Sequence, residues 1–100
     1  MTDTVDTGKI MSIAVNAMDF IPQMGTDRLR SRYMELEDLI EEKCDRELLI
    51  NYVSSNFAAN THLCMTILRG KSSDDIVAVT EEIRGQIKDE LDKRKASRTL

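Results

Sequence analysis

The 100-residue sequence has few aromatic residues, with two Tyr, two Phe and no Trp, and it contains only four Gly and one Pro. Little in it interrupts a helix, so we expect a core of Leu, Ile and Met side chains packed between helices. A hydrophobic fraction of 41% and a charged fraction of 32% are typical of a folded, water-soluble chain rather than a disordered one. The predicted fold class is all-α.

The sequence also lacks a disulfide framework, because it has only two cysteines, Cys44 and Cys64. Its first residues, MTDTVDTGK, include acids and do not resemble a secretory signal. No run approaches the roughly 18 apolar residues that a membrane-spanning helix requires. These absences predict a cytoplasmic (intracellular) protein in a reducing compartment.

A basic excess is absent as well, since the net charge is −4 and the pI is about 4.9. Nucleic acid is therefore an unlikely partner, because binding it requires a basic surface that releases counterions from phosphates. The length is that of one domain. We expect a single helical domain over residues 1–100, with residues 1–6 and 96–100 frayed.

The most apolar stretch of the chain is Leu48–Leu68, and its apolar residues recur at helical spacing. They cover about half of the helix circumference, which predicts a central helix that is buried on more than one side. Asn56 and Asn60 lie in the middle of this apolar arc. We expect them to fix the helix register, as a buried Asn does in a coiled coil, with ligand contact as the alternative.

Two helices are predicted before this stretch. The first runs from about Lys9 to Phe20 and is stopped by Pro22, which disfavours helical geometry in the preceding residue. The second runs from about Asp27 to Cys44, with Thr26 as its N-cap.

The remaining boundaries follow from capping residues. A turn at Lys43–Arg46, with Asp45 as a new N-cap, is favoured over one continuous helix. Gly70 is expected to end the central helix in the left-handed conformation. Ser72, which forms an approximate capping box with Asp75, or alternatively Ser73, then caps a last helix that runs from Asp74 to about Arg94.

The predicted architecture is a helical hairpin, Asp27–Leu68, flanked by an N-terminal and a C-terminal helix. The first and central helices have more apolar surface than a monomeric bundle of this size can cover. A second copy of the chain is the simplest cover, which predicts a homodimer or higher homo-oligomer. Met11 and Met18 on the first helix form an adaptable candidate interface.

No complete catalytic or metal-binding set is evident, and we predict no metal and no cofactor. A carboxylate cluster that could hold Mg²⁺ occurs on the second helix, at Glu35, Asp38, Glu41 and Glu42. The chain has no acid between Glu47 and Asp74, so the following helix supplies no opposing carboxylate, and a solvated acidic face is the favoured interpretation. His62 and Cys64 point in directions about 200° apart on a helix and cannot chelate one ion.

The strongest positive cluster is Arg28, Arg30 and Arg32 beside Tyr33, near the start of the second helix. Guanidinium groups and the free amides of a helix N-terminus can together receive a phosphate or a carboxylate. The alternative interpretation is that these arginines solvate the helix and pair with neighbouring acids, namely Asp27, Glu35 and Glu37.

The sequence thus favours a non-enzymatic, homo-oligomeric helical protein that acts by binding an unidentified protein partner, as an adaptor, inhibitor or chaperone-like accessory protein. A binder of small anionic ligands such as nucleotides, which uses the arginine cluster, is the alternative hypothesis. A Mg-dependent all-α nucleotide hydrolase is the third.

Overall fold

A computed structural model describes residues 15–43 and 45–99 of the chain, and it contains five α-helices and no strand within them. The helices are α1 (Ala17–Phe20), α2 (Thr26–Asp38), α3 (Arg46–Phe57), α4 (Thr61–Arg69) and α5 (Ser73–Thr99). A 3₁₀ turn, Ile21–Gln23, follows α1, and a π-helical turn, Leu39–Lys43, extends α2. The prediction of an all-α protein is confirmed. None of the helices in the described ranges has the length and apolarity needed to cross a membrane.

The long helix α5 is the element on which most of the others pack. Its buried seam consists of Ile76, Thr80, Ile83 and Ile87, which recur every three or four residues. Thr80 is the only one of the four that is polar, and its hydroxyl donates to the Ile76 carbonyl at 2.7 Å. Its burial therefore leaves no hydroxyl hydrogen unpaired.

The predicted hairpin Asp27–Leu68 does not describe the packing. Helix α2 lies mainly against α5, and α3 lies against α4 and α5. The reason is visible in α2, where Leu29 and Leu36 are completely buried and form a single narrow seam. Helix α2 therefore packs mainly against α5, and its smaller contact with α3 includes the hydrogen bond from the Tyr52 hydroxyl to Glu35. Homo-oligomerisation stays a prediction.

The expected central helix is two helices, because the chain leaves helical geometry between Phe57 and Thr61. Ala58 is extended, with φ −113° and ψ 139°. The Asn60 side chain accepts a hydrogen bond from the Leu63 amide at 2.9 Å and so acts as the N-cap of α4. Asn60 is therefore exposed at a helix end rather than buried as a register residue, and an asparagine cap breaks the helix without Gly or Pro.

Two of the other predicted caps are confirmed and one is displaced. Asp45 caps α3 by accepting from the Leu48 amide at 3.1 Å, and the Ser72 hydroxyl accepts from the Asp75 amide at 3.2 Å before α5. The N-cap of α2 is Gly25 rather than Thr26.

Two long-range arginine contacts explain how the helix ends are held. The Thr26 hydroxyl accepts from Arg94 Nη1 at 3.1 Å instead of capping α2. Gly70 does end α4, but its φ of −84° is not left-handed. The end of α4 is instead held by Arg46, whose Nη2 donates to the carbonyls of Arg69 at 2.6 Å and Lys71 at 2.8 Å.

The first predicted helix ends at Phe20 as expected, but Val15 and Asn16 lie outside it. The Asn16 amide donates to the Phe57 carbonyl at 3.1 Å, which ties this segment to the end of α3. The predicted start at Lys9, the candidate interface residue Met11 and Cys44 all lie outside the described residues. Helix α5 continues beyond the predicted end to Thr99, and fraying of the terminal residues stays a prediction.

Candidate functional site

A cleft of about 360 Å³ lies where the end of α1 with the segment that follows it, the first half of α2 and the last turn of α3 meet. We call it the arginine cleft. Its lining residues are Phe20, Gln23, Met24, Arg28, Arg32, Ser55 and Asn56. The Asn16–Phe57 hydrogen bond described above connects the segment before α1 to the end of α3 and so holds these two sides of the cleft together.

Arg28 and Arg32 share the cleft because residues four apart lie on the same side of a helix. Arg30 lies on another side of α2, where it pairs with Asp27 at 3.5 Å and lines a separate cleft with Arg94. The predicted cluster of three arginines is thus divided by the helix periodicity. Tyr33 is half-buried against the hydrophobic core and does not line the cleft.

Arg32 pairs with Glu35 through one nitrogen of its guanidinium, whereas another nitrogen has no partner among the described residues. Its Nη1 lies 3.4 Å from Glu35 Oε1, and the same carboxylate oxygen accepts from the Tyr52 hydroxyl at 2.5 Å. Burial and the adjoining Glu35 together raise the pKa of Tyr52, so this donor stays protonated at neutral pH. The Arg32 Nε–H, however, is buried and has no hydrogen-bond partner among the described residues.

Arg28 is exposed and makes no ion pair or hydrogen bond with the described part of the chain. The cleft therefore has one unneutralised guanidinium and one whose charge is shared with Glu35. The C-terminal end of α3 opposes this charge with roughly half an elementary negative charge, and the N-terminal end of α2 supplies a similar positive one. Because these partial charges are of opposite sign, the arginines set the sign of the local potential.

Two carboxamides complete the polar walls, and each is fixed through its nitrogen. Gln23 Nε2 donates to the Asp19 carbonyl at 2.8 Å, and Asn56 Nδ2 donates to the Tyr52 carbonyl at 2.8 Å. Neither carboxamide oxygen has a hydrogen bond to a described residue. The cleft therefore offers acceptors as well as cations.

The other candidate side chains, which are the acids of α2 and of the π-helical turn that extends it, Cys64 and His62, do not form a second site among the described residues. Glu35 is engaged by Arg32, and Glu41 pairs with Arg84 at 3.6 Å. Cys64 is fully buried, and burial raises the pKa of its thiol, whereas His62 is exposed. Within residues 15–43 and 45–99, no three His, Cys, Asp or Glu side chains approach closely enough to hold a metal ion.

Met18 is the predicted interface residue that the structure describes, and its side chain is 71% exposed. It lies beside α5 and is not part of the arginine cleft. Sequence reasoning named Arg28, Arg32 and Asn56 but missed the contributions of Phe20, Gln23 and Ser55. No local pattern connects these residues, because they meet only through tertiary packing.

No known family model matches the chain, and neither a curated protein nor a solved structure is significantly similar to it.

Proposed function

We propose that the protein is a binding protein for small anions and that the arginine cleft is its binding site. The observation that carries this proposal is that Arg28 and Arg32, one turn apart on α2, line the same cleft, where Arg28 makes no ion pair or hydrogen bond with a described residue and the buried Nε–H of Arg32 has no partner among them. A buried donor without an acceptor is costly, and in native proteins such a group usually has a partner such as a ligand or a water. A phosphate or carboxylate in the cleft would contact Arg28 and the exposed part of the Arg32 side chain, which is 23% exposed.

Phosphate and carboxylate groups suit this site because the guanidinium fork donates two parallel hydrogen bonds to them. The protein as a whole is acidic, with a net charge of −4, so it does not attract anions from a distance. Affinity must arise from short-range contacts inside the cleft. Glu35 pairs with Nη1 of Arg32 and so restricts the orientation of its guanidinium.

Calorimetric titration with inorganic phosphate tests the proposal. We expect Arg28→Gln and Arg32→Gln each to weaken binding by about ten-fold or more, since a hydrogen bond to a charged group contributes roughly 1.5–3 kcal/mol. Arg30→Gln is the matched control, because it removes the same charge from the same helix on another side. It should change the affinity for phosphate by less than about two-fold, because salt screens an exposed charge that lies outside the cleft.

Equal losses in all three variants would show a general charge effect and would contradict a defined site. Circular dichroism melts of each variant establish that the helices are intact before titration. Absence of any measurable phosphate binding by the unaltered protein would refute the proposal outright.

A second candidate function is self-association and binding of a protein partner, as in an adaptor, inhibitor or chaperone-like accessory protein. The observation in its favour is exposed apolar surface, with Met18 71% and Met34 65% accessible. Methionine is common at adaptable protein-binding surfaces.

Solution mass measured by light scattering on a sizing column tests self-association through Met18. We expect an oligomer for the unaltered chain and a smaller species for Met18→Lys, because a buried ammonium group is unfavourable at an apolar interface. Met34→Lys is the control, since Met34 lies on α2 and is similarly exposed. A monomeric unaltered chain would rule out self-association through Met18.

A further inference from the structure

We infer that the ligand of the arginine cleft is a nucleoside monophosphate, an inference that rests on the proposed anion-binding function. The cleft has three kinds of wall, each of which matches one part of such a ligand. Arg28 and Arg32 supply the cationic wall for the phosphate. A bare phosphate would leave the other two walls unused.

The apolar wall is formed by Phe20 and Met24, which line the same cleft as the arginines. Met24 packs against the hydrophobic core, which anchors its part of this wall. Aromatic side chains bind bases through their faces, and this contact tolerates any base because every base has a π-face. The base therefore lies against Phe20 when the phosphate is held by the arginines.

The acceptor wall is formed by Gln23 and Asn56, which line the cleft and whose carboxamide nitrogens are bonded to helix carbonyls, so that the carboxamide oxygens are left to accept from a ligand. An acceptor repels phosphate oxygens but receives hydrogen bonds from ribose hydroxyls or from the exocyclic amine of a base. A ligand that carries an anion and hydrogen-bond donors therefore fits better than a simple dicarboxylate does.

The size of the cleft agrees with one such ligand. Its volume of about 360 Å³ lies near the lower end of the roughly 300–1,000 Å³ range of small-molecule sites. This suits a mononucleotide better than a dinucleotide. The second arginine-lined cleft contains Arg94, whose guanidinium is already committed to Glu90, Thr26 and two carbonyls, so it does not extend the site.

The test compares inorganic phosphate, ribose 5-phosphate and AMP as ligands of the full chain by calorimetric titration. AMP is expected to bind about ten-fold or more tightly than ribose 5-phosphate, because stacking of one base contributes a factor of this order. Ribose 5-phosphate is expected to bind more tightly than phosphate, because its hydroxyl groups donate to the free carboxamide oxygens. Phe20→Leu should reduce the advantage of AMP over ribose 5-phosphate, because a leucine side chain offers the base no aromatic face.

Equal affinity for AMP and ribose 5-phosphate would overturn the inference but leave the anion-binding function standing. Failure of all three ligands to bind would overturn both. An undiminished advantage of AMP over ribose 5-phosphate in Phe20→Leu would contradict a contact between Phe20 and the base.

Discussion

Replacing Phe57 with Ala is expected to lower the free energy of unfolding by about 3–5 kcal/mol, the usual cost of removing a fully buried aromatic side chain. Phe57 is completely buried at the end of α3, and its ring centroid lies 6.2 Å from that of Tyr52. Its carbonyl also accepts the Asn16 amide that secures the segment before α1. The side chain therefore fills the core where α3 ends and the arginine cleft begins.

Urea unfolding followed by circular dichroism measures this loss. Leu48→Ala is the matched control, because Leu48 lies on the same helix but is 45% exposed. We expect it to cost less than about 1 kcal/mol, since much of its surface stays in water and Ala is the better helix former. Similar losses in the two variants would contradict the burial of Phe57.

Replacing Arg94 with Met should lower the free energy of unfolding by about 2–3 kcal/mol, because hydrogen bonds to a charged group are stronger than neutral ones. The guanidinium lies 2.9 Å from Glu90 and donates to the Thr26 hydroxyl and to the carbonyls of Ile21 and Pro22. It thereby ties the 3₁₀ turn and the start of α2 to α5. Its side chain is 25% exposed and that of Glu90 is 18% exposed, so solvent screens the ion pair only in part.

Lys88→Met serves as the control for Arg94→Met, because Lys88 makes an ion pair of the same i, i+4 type on the same helix. The Lys88 and Asp92 side chains are 63% and 65% exposed and 3.7 Å apart. Exposed pairs of this kind contribute at most about 0.5 kcal/mol. If Arg94→Met cost no more than Lys88→Met, the contacts from Arg94 to the 3₁₀ turn would not contribute to stability.

The sequence predicted the fold class and several helix ends because those features depend on local chemistry. Asp45 and Ser72 cap the helices that they were expected to cap, since an oxygen-bearing side chain acts on amides within three residues. The break at Ala58–Asn60 was missed because asparagine is compatible both with a helix interior and with a cap. Tertiary contacts decided between them.

The arrangement of the helices was less predictable, because it also depends on tertiary contacts rather than on local chemistry. The seams of α2 and α5 were readable from their periodicity, but periodicity does not say which seam meets which. The division of the arginine cluster could have been anticipated, because Arg30 lies two residues from both Arg28 and Arg32. The acceptor wall could not, because Gln23 and Asn56 are brought together only by packing.

Binding of an anion in the arginine cleft can be followed through the Nε–H resonances of the arginines in an NMR titration with phosphate. We expect a saturable shift for Arg32 Nε–H, which is buried and has no hydrogen-bond partner among the described residues, together with shifts of the Gln23, Ser55 and Asn56 signals. The Arg30 and Arg46 signals should remain in place, since Arg30 faces another cleft and Arg46 is bound to the end of α4. Shifts that grow without saturation, or that are equal for all arginines, would contradict the account.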